Sequence, residues 1–134
     1  MRYYFDTSIW LDLFEERDEP GNPKSKVAQE LLNKCIREDI LVLYSDNTLI
    51  ELSRLGYSNT LELFGPFNRI LLFVESTQNH INRSNEIARI RNLPRRDVLH
   101  ALLARGHEAI LVSRDKHFGL LRDIVKKKSP EELI

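Results

Sequence analysis

The sequence is poor in cysteine and in long apolar runs, and each shortage excludes a class of protein. Cys35 is the only cysteine, so one chain cannot form an internal disulfide or supply a cysteine-rich zinc site. Its apolar neighbours Leu31, Leu32 and Ile36 predict that Cys35 is a small buried residue of a helix. No run approaches the roughly 20 apolar residues that span a bilayer, and the N-terminus lacks the pattern of a signal peptide. We therefore expect a cytoplasmic protein that does not associate with membranes.

The sequence also lacks net charge. Lys plus Arg and Asp plus Glu both number 20, which gives a formal net charge of zero. A protein that holds nucleic acid by bulk electrostatics alone is usually basic. Any role with nucleic acid must therefore depend on a local basic patch and on a site.

The pattern of apolar residues predicts strands that alternate with helices. The 134 residues are 42% hydrophobic and 30% charged, which is typical of one globular domain over residues 1–134. Short apolar runs predict strands at residues 3–5, 40–44, 70–74 and 109–112. Periodicity and capping residues predict helices at residues 9–14, 25–37, 49–55, 78–91 and 94–105. This alternation indicates an α/β fold with a parallel sheet covered by helices.

Other stretches are harder to assign. Residues 15–24 are charged and contain two prolines and a glycine, which predicts a loop. Residues 57–68 could hold a short helix that Gly65-Pro66 breaks, and residues 129–133 resemble a last helical turn. Ile124 and Val125 predict the start of a weak edge strand, and the lysines at 126–128 are expected to form an exposed tail strand that discourages further pairing at that edge.

Four acidic residues stand at related positions in this pattern. Asp6 follows the first strand, Asp115 follows the fourth, and Glu51 lies about one turn into the helix after the second strand. The ends of parallel strands and the starts of the helices that follow them share one edge of a sheet, where ligands bind. Asp97 lies near the start of the helix at residues 94–105, but it does not follow a strand directly, so its convergence is the weakest step.

Each acid also has a purely structural explanation. Asp6 and Asp115 could be N-caps, Asp97 could interact with a helix dipole, and Glu51 could complete a capping box with Thr48. Taken singly, these explanations are preferable. Four carboxylates held together would repel one another unless a cation neutralises them, and Mg²⁺ or Mn²⁺ does this with oxygen ligands. Such sites suit hydrolysis of phosphodiesters.

Four segments resemble the PIN domain family, and among its members the small prokaryotic VapC-like toxins of toxin–antitoxin pairs. The segments are FDTS at residues 5–8, TLIEL at 48–52, RDVLHALLA at 96–104 and LVSRDKHF at 111–118. Any one of them is a weak match, whereas four in the same order over ~130 residues are fairly specific. The resemblance implies a three-layer α/β/α fold around a mostly parallel sheet of four to five strands.

The resemblance also implies an activity, namely a Mg²⁺- or Mn²⁺-dependent endoribonuclease. Asp6, Glu51, Asp97 and Asp115 match the acidic positions around the metal, and Asp6 and Asp97 would be direct ligands. The reaction would be in-line attack of metal-activated water on an RNA phosphodiester, which leaves 5′-phosphate and 3′-hydroxyl ends. The polar positions that support the site are filled by Ser8 and Ser113.

Relatives of this kind commonly form homodimers and bind an antitoxin segment in a groove near the active site, so we expect both. Two apolar sets are large for the surface of a monomer, although both could be core: Trp10, Leu13 and Phe14, and Tyr57, Leu61, Leu63 and Phe64.

The substrate would need cations near the acids. Arg95, Arg96, Arg114 and Lys116 flank two of the acids, and Arg54 lies one turn after Glu51; we expect phosphate contacts from these five residues. The alternative for each is a solvated charge at a helix end. Of the histidines, His100 is expected to pack or to form hydrogen bonds, and His117 is a weaker candidate for a substrate contact.

Three other functions remain open at this point. One is a non-catalytic RNA-binding or scaffold domain with the same fold, and another is an RNA-processing or decay nuclease without an antitoxin. A receiver-like phospho-acceptor domain is less favoured. That class requires an acidic doublet after the first strand and a central acceptor aspartate, whereas Asp6 is followed by Thr7 and the strand at residues 70–74 is followed by Glu75.

Overall fold

The structure is a computed structural model, which describes residues 1–15 and 18–134 and only the backbone of residues 18 and 19. Its strands are β1 (Arg2–Phe5), β2 (Asp18–Glu19), β3 (Asn22–Pro23), β4 (Leu41–Ser45), β5 (Leu71–Val74), β6 (Ile110–Val112) and β7 (Lys127–Lys128). Its helices are α1 (Thr7–Glu15), α2 (Lys24–Glu38), α3 (Asp46–Arg54), α4 (Thr60–Phe64), α5 (Gln78–Arg91), α6 (Arg95–Gly106) and α7 (Pro130–Leu133), with 3₁₀ helices at Gly65–Ile70 and Lys116–Leu121.

The central sheet has five strands in the order β5-β4-β1-β6-β7, and each neighbouring pair is parallel. β1 lies in the middle because the chain adds β4 and β5 on one side and β6 and β7 on the other. The direction of strand addition therefore changes beside β1, and its carboxyl end opens on the crevice where ligands bind in sheets of this kind.

Apolar side chains cover both faces of the sheet. Tyr3, Phe5 and Val42 pack with α1 and α2 on one face, while Tyr4 and Leu43 pack with α6 on the other. Successive residues of a strand point to opposite faces, so the uninterrupted apolar runs of β1 and β4 supply both cores at once. The predicted three-layer α/β/α architecture is confirmed.

The edge strand differs from its prediction. Ile124 and Val125 do not form it; both are buried in the core beside α6, and the following lysines pair with β6 instead. Leu111 N–H donates to the carbonyl of Lys126, and Ser113 N–H donates to that of Lys128. The apolar pair is drawn inward by burial, so the charged pair Lys127 and Lys128 forms the outer edge of the sheet.

The connecting segments also carry more structure than the sequence predicts. Residues 15–24 were predicted to be a loop; residues 16 and 17 lie outside the described part, and β2 and β3 form an antiparallel hairpin. Residues 57–68 include α4, and Gly65-Pro66 changes the helix to a 3₁₀ helix rather than ending it. Pro94 is the N-cap of α6 and not its first residue.

Cys35 is fully buried in α2, as predicted. Burial raises the pKa of its thiol to about 12, so the reactive thiolate is not populated near neutral pH. Among residues 1–15 and 18–134, no helix has the length and apolar character needed to cross a membrane.

The N-terminus of α3 provides a test of this fold. Ser45 accepts a hydrogen bond from the backbone N–H of Thr48, and the Thr48 hydroxyl accepts one from the N–H of Ser45. Ser45→Ala should destabilise the protein by about 1–2 kcal/mol because it removes this buried cap. Urea unfolding measures the loss. Ser129 caps the four-residue helix α7 in the same way, and Ser129→Ala should cost less; equal losses would contradict the importance assigned to Ser45.

Candidate active site

Asp6 occupies the centre of the carboxyl edge of the sheet. It follows β1, and its backbone N–H donates to the carbonyl of Val112 at the end of β6. Ser8 Oγ donates to Asp6 Oδ1 at 2.5 Å, and Ser113 Oγ donates to Asp6 Oδ2. Burial raises the pKa of Asp6, although both serine hydrogen bonds act to lower it.

The structural explanation of Asp6 is also correct. The backbone N–H of Ile9 donates to Asp6 Oδ1 at 3.3 Å, so this carboxylate caps α1. Asp115 likewise accepts from the N–H of His117 at 2.9 Å and caps the following 3₁₀ helix. Capping and participation in a common site are therefore compatible, because the caps lie at the ends of adjacent strands.

All four candidate acids line one cavity of about 340 Å³. Asp6 comes from the end of β1, Glu51 from α3, Asp97 from the first turn of α6, and Asp115 from the segment after β6. Asp97 reaches the cavity because α6 lies against the sheet with its N-terminus at the carboxyl edge. The structure therefore supplies the convergence that the sequence left weakest for Asp97.

Asp97 experiences the strongest electrostatic conflict of the four. Burial and the neighbouring negative charge of Asp115 raise the pKa of Asp97 to about 6, with Glu51 and Asp6 acting in the same direction. One oxygen each of Asp97 and Asp115 and one ring nitrogen of His117 lie within 4.8 Å of one another. A hard divalent cation fits this set of donors, since its charge would remove the repulsion that the pKa reveals.

Glu51 does not complete the capping box that the sequence suggested. Thr48 is itself the N3 partner of the Ser45 cap, and Glu51 instead contacts His100, with Oε1 2.6 Å from Nε2. Burial alone would raise the pKa of Glu51, but the hydrogen bond and the charge of His100 outweigh it, and the pKa is lowered.

His100 is a hydrogen-bonding residue, as expected, but the sequence analysis did not find its partners. Its Nδ1 lies 2.6 Å from the hydroxyl of Tyr4, a residue that sequence reasoning assigned only to the core. One feature of the sequence indicated that His100 needs buried hydrogen-bond partners: it is the one polar residue in an apolar run on α6, and all seven residues of that run are buried. His117 lies at the exposed rim, 3.8 Å from Asp97 and 3.5 Å from Asp115.

The five candidate cations separate into two groups. Arg96 lines the acidic cavity, and with Arg54 and Arg95 it also lines a smaller adjoining cavity of about 110 Å³. Lys116 is exposed but lines neither cavity. The structure thus places one of the five side chains in the acidic cavity and two more in the cavity that adjoins it.

Arg114 requires a correction, because its guanidinium is engaged elsewhere. It forms salt bridges with Asp12 of α1 and with Glu131 of α7, the latter at 2.7 Å, and it donates to the carbonyl of Lys24. Only 19% of its side chain is exposed. Arg114 therefore links the ends of the chain and does not face the acids.

The comparisons with known proteins agree with this geometry. The family model described as the PIN domain matches residues 3–123. The chain belongs to the PIN domain family. PIN domains are generally nucleases, so membership supports a hydrolase that acts on nucleic acid. The comparison with curated proteins found no significant match.

Several solved structures share the fold of this chain, among them a toxin–antitoxin complex from Klebsiella pneumoniae. VapBC2 from Rickettsia felis, bound to a DNA fragment from its promoter, has a TM-score of 0.70 at 14% identity, covering 96% of this chain and 98% of that one. VapBC-1 from nontypeable Haemophilus influenzae has a TM-score of 0.66 at 16% identity, covering 98% and 99%. FitAcB from Neisseria gonorrhoeae has a TM-score of 0.64 at 18% identity, covering 99% and 100%.

The raised pKa of Asp97 predicts a pH-dependent stability in metal-free buffer. The unfolded chain releases this proton near pH 3.8 and the folded chain near pH 6. The protonated carboxyl group of Asp97 therefore stabilises the fold. This stabilisation is fully present below the unfolded pKa and is lost as the pH rises through 6. Asp97→Asn cannot ionise, so its stability relative to wild type should rise by about 1–3 kcal/mol between about pH 4 and pH 7. Urea unfolding with a chelator measures this difference.

Asp123→Asn is the matched control. Hydrogen bonds from Arg91 lower the pKa of Asp123, so this variant should be less stable than wild type over the same pH range. If the stability of Asp97→Asn relative to wild type were the same at both ends of the range, the repulsion assigned to Asp97 would be refuted.

Proposed function

We propose that this PIN domain is a divalent-metal-dependent endoribonuclease and the toxin of a type II toxin–antitoxin pair. The observation that carries the proposal is the convergence of four carboxylates from separate elements on one cavity. Packing does not require this arrangement, and repulsion opposes it, as the raised pKa of Asp97 indicates. Binding of a cation would explain why the protein keeps four carboxylates together despite their electrostatic repulsion.

The residues take the following roles in the proposed reaction. Asp6, Asp97, Asp115 and Glu51 would hold Mg²⁺ or Mn²⁺, which when bound activates water and offsets negative charge on the phosphate. Ser8 and Ser113 hold Asp6, because each hydroxyl donates to one of its carboxylate oxygens. Asp115 is held beside them, since its backbone N–H donates to Ser113 Oγ at 2.9 Å. The chain's own contribution is thus to hold Asp6 and Asp115 in place.

Arg96 is the cation best placed to contact RNA phosphate, because it lines both the acidic cavity and the smaller cavity beside it. Arg54 and Arg95 would extend that contact along the strand. Phosphate contacts of this kind position a substrate without selecting its sequence. The neutral total charge of the chain makes such a local cluster necessary.

A second feature supports the proposal that the chain binds an antitoxin. An apolar groove of about 510 Å³ between α1, α2 and α4 is lined by Leu13, Phe14, Leu32, Leu63 and Phe67. Apolar residues of α1 and α4 that the sequence analysis noted therefore lie together, although Trp10 and Phe64 themselves are buried. An amphipathic antitoxin segment would suit this groove. A homodimer would need another surface, for which the exposed Ile50 and Leu55 of the α3 region are candidates.

The match of the PIN family model over residues 3–123 argues against a receiver-like domain. A nuclease without an antitoxin and an inactive RNA-binding scaffold would both keep this fold. The two experiments below separate them from the toxin.

Loss of one metal-binding carboxylate should abolish cleavage. Purified wild type incubated with total RNA and Mn²⁺ should create new 5′-phosphate ends, and Asp6→Asn should create at least about 100-fold fewer, equivalent to about 2.7 kcal/mol of lost transition-state stabilisation. Sequencing of the 5′ ends measures both. Asp123→Asn, which alters an exposed acid outside the cavity, is the control and should cleave as wild type does.

Equal cleavage by wild type and Asp6→Asn would identify a contaminating nuclease and remove the assignment. Folded wild-type protein that binds RNA but leaves it uncut with Mn²⁺ would favour the scaffold.

A substitution in the apolar groove tests whether an antitoxin binds there. Leu63→Asp should weaken binding of the small protein encoded by the adjacent reading frame by about 10- to 100-fold, because it places a charge in a desolvated apolar contact. Isothermal titration calorimetry with the purified pair measures the change. Leu61→Asp is the matched control on the same helix; Leu61 is 87% exposed and does not line the groove, so binding should be unchanged. Equal effects of the two variants would exclude the groove as the docking site.

A further inference from the structure

His100 is a polar residue at a position that packing alone would fill with an aliphatic side chain. It lies within a run of seven buried residues on α6, 98–104, and only 2% of it is exposed. A buried imidazole is unfavourable unless its ring nitrogens have hydrogen-bond partners. Both do: Nε2 lies 2.6 Å from Glu51 Oε1, and Nδ1 lies 2.6 Å from the hydroxyl of Tyr4. The ring therefore connects a buried tyrosine to a carboxylate of the cavity.

The partners determine which ring nitrogen carries a proton. An ionised carboxylate can only accept, so the proton between Glu51 and His100 belongs to Nε2. Nδ1 pairs with the hydroxyl of Tyr4, which stays protonated because burial raises the pKa of the phenol. The Ser45 hydroxyl lies 2.6 Å from that of Tyr4 and can donate to it.

This row of hydrogen bonds begins and ends on one helix. Ser45 caps α3, and its Oγ accepts from the N–H of Thr48. From Ser45 the row passes through Tyr4 of β1 and His100 of α6 and returns to Glu51, in the middle of α3. A glutamate has three rotatable bonds and would otherwise sample many orientations beside water. The row holds Oε1 on the buried side and thereby fixes the plane in which the carboxylate faces the cavity.

We propose that His100 is a positioning residue that sets the divalent-cation affinity of the cavity by orienting Glu51. This inference rests on the proposed function, since it assumes that the four acids hold a cation. Its effect is indirect: the imidazole does not need to touch the cation or the RNA. The corresponding role in other metal sites, a hydrogen-bond donor behind a ligand, changes metal affinity considerably.

Two variants of His100 separate positioning from simple packing. A glutamine amide reaches the position of Nε2 and can still donate to Glu51, whereas an asparagine amide reaches only the position of Nδ1 and can meet Tyr4 but not Glu51. Both replace the ring by a smaller polar group, so a packing role predicts similar defects, with the shorter asparagine somewhat worse. The positioning role predicts that His100→Asn loses Mn²⁺ affinity and that His100→Gln retains it.

The measurement is Mn²⁺ affinity by calorimetry on the full chain without RNA, at a temperature where circular dichroism shows each variant folded. His100→Asn should bind Mn²⁺ about 10- to 100-fold more weakly than wild type, and His100→Gln should remain within about threefold of wild type. If His100→Asn does not fold, Tyr4→Phe replaces it, because it removes the partner of Nδ1 and keeps the ring; a loss of about three- to tenfold is expected.

The outcomes distinguish the inference from the function on which it rests. Mn²⁺ binding by wild type with equal affinities in His100→Asn, His100→Gln and Tyr4→Phe would overturn the inference alone. Equal losses in the two His100 variants would also overturn it, in favour of packing. Absence of Mn²⁺ binding by folded wild type would overturn the proposed function and the inference together.

A measurement without metal tests the hydrogen bonds directly. In metal-free wild type, the ¹⁵N spectrum of His100 should show a proton on Nε2. A proton on Nδ1 alone would refute the donation to Glu51 and with it the inference.

Discussion

Electrostatic repulsion among buried carboxylates is the constraint on which this site depends. Asp6, Glu51, Asp97 and Asp115 come from separate parts of the chain and face one cavity of about 340 Å³. Burial and the negative charge of Asp115 penalise the ionised form of Asp97, whose pKa rises to about 6, and burial raises the pKa of Asp6 as well. A bound cation would relieve this penalty.

The side chains around the acids limit this conflict without removing it. The Ser113 hydroxyl donates to Asp6 while its oxygen accepts the N–H of Asp115, so one serine joins two of the acids. His100 contacts the carboxylate of Glu51, and the pKa of Glu51 is lowered. Asp97 has no such donor among the hydrogen bonds of the described residues, and its pKa is raised to about 6. Neutralisation by a cation would relieve the repulsion at Asp97.

The sequence predicted those parts of the fold that follow from local patterns. The apolar runs of β1 and β4 supply buried residues to both faces of the sheet, and such runs are recognisable without knowledge of their neighbours. Glu51 was harder to interpret, since Thr48 precedes it at the spacing of a capping box, and only the position of His100 shows that its carboxylate turns elsewhere. The role of Arg114 was equally hard to predict, because its salt-bridge partners Asp12 and Glu131 are far from it in sequence. Residues whose roles depend on distant partners escaped prediction.

The edge of the sheet illustrates a competition that sequence rules cannot resolve. Ile124 and Val125 have the higher strand propensity, yet they are buried in the core, and the strand forms from Lys127 and Lys128. Propensity describes what a residue prefers locally, whereas burial is decided by the space that α6 and β6 leave.

Trp10 gives the molecule a built-in optical reporter. It is the only tryptophan, it is fully buried, and its ring lies 4.7 Å from that of Phe64 and 6.1 Å from that of Phe14, measured between centroids. Phe14 also lines the apolar groove, so the indole lies one aromatic layer beneath the surface where a partner would dock. Its fluorescence can therefore register events in the groove without any dye or added label.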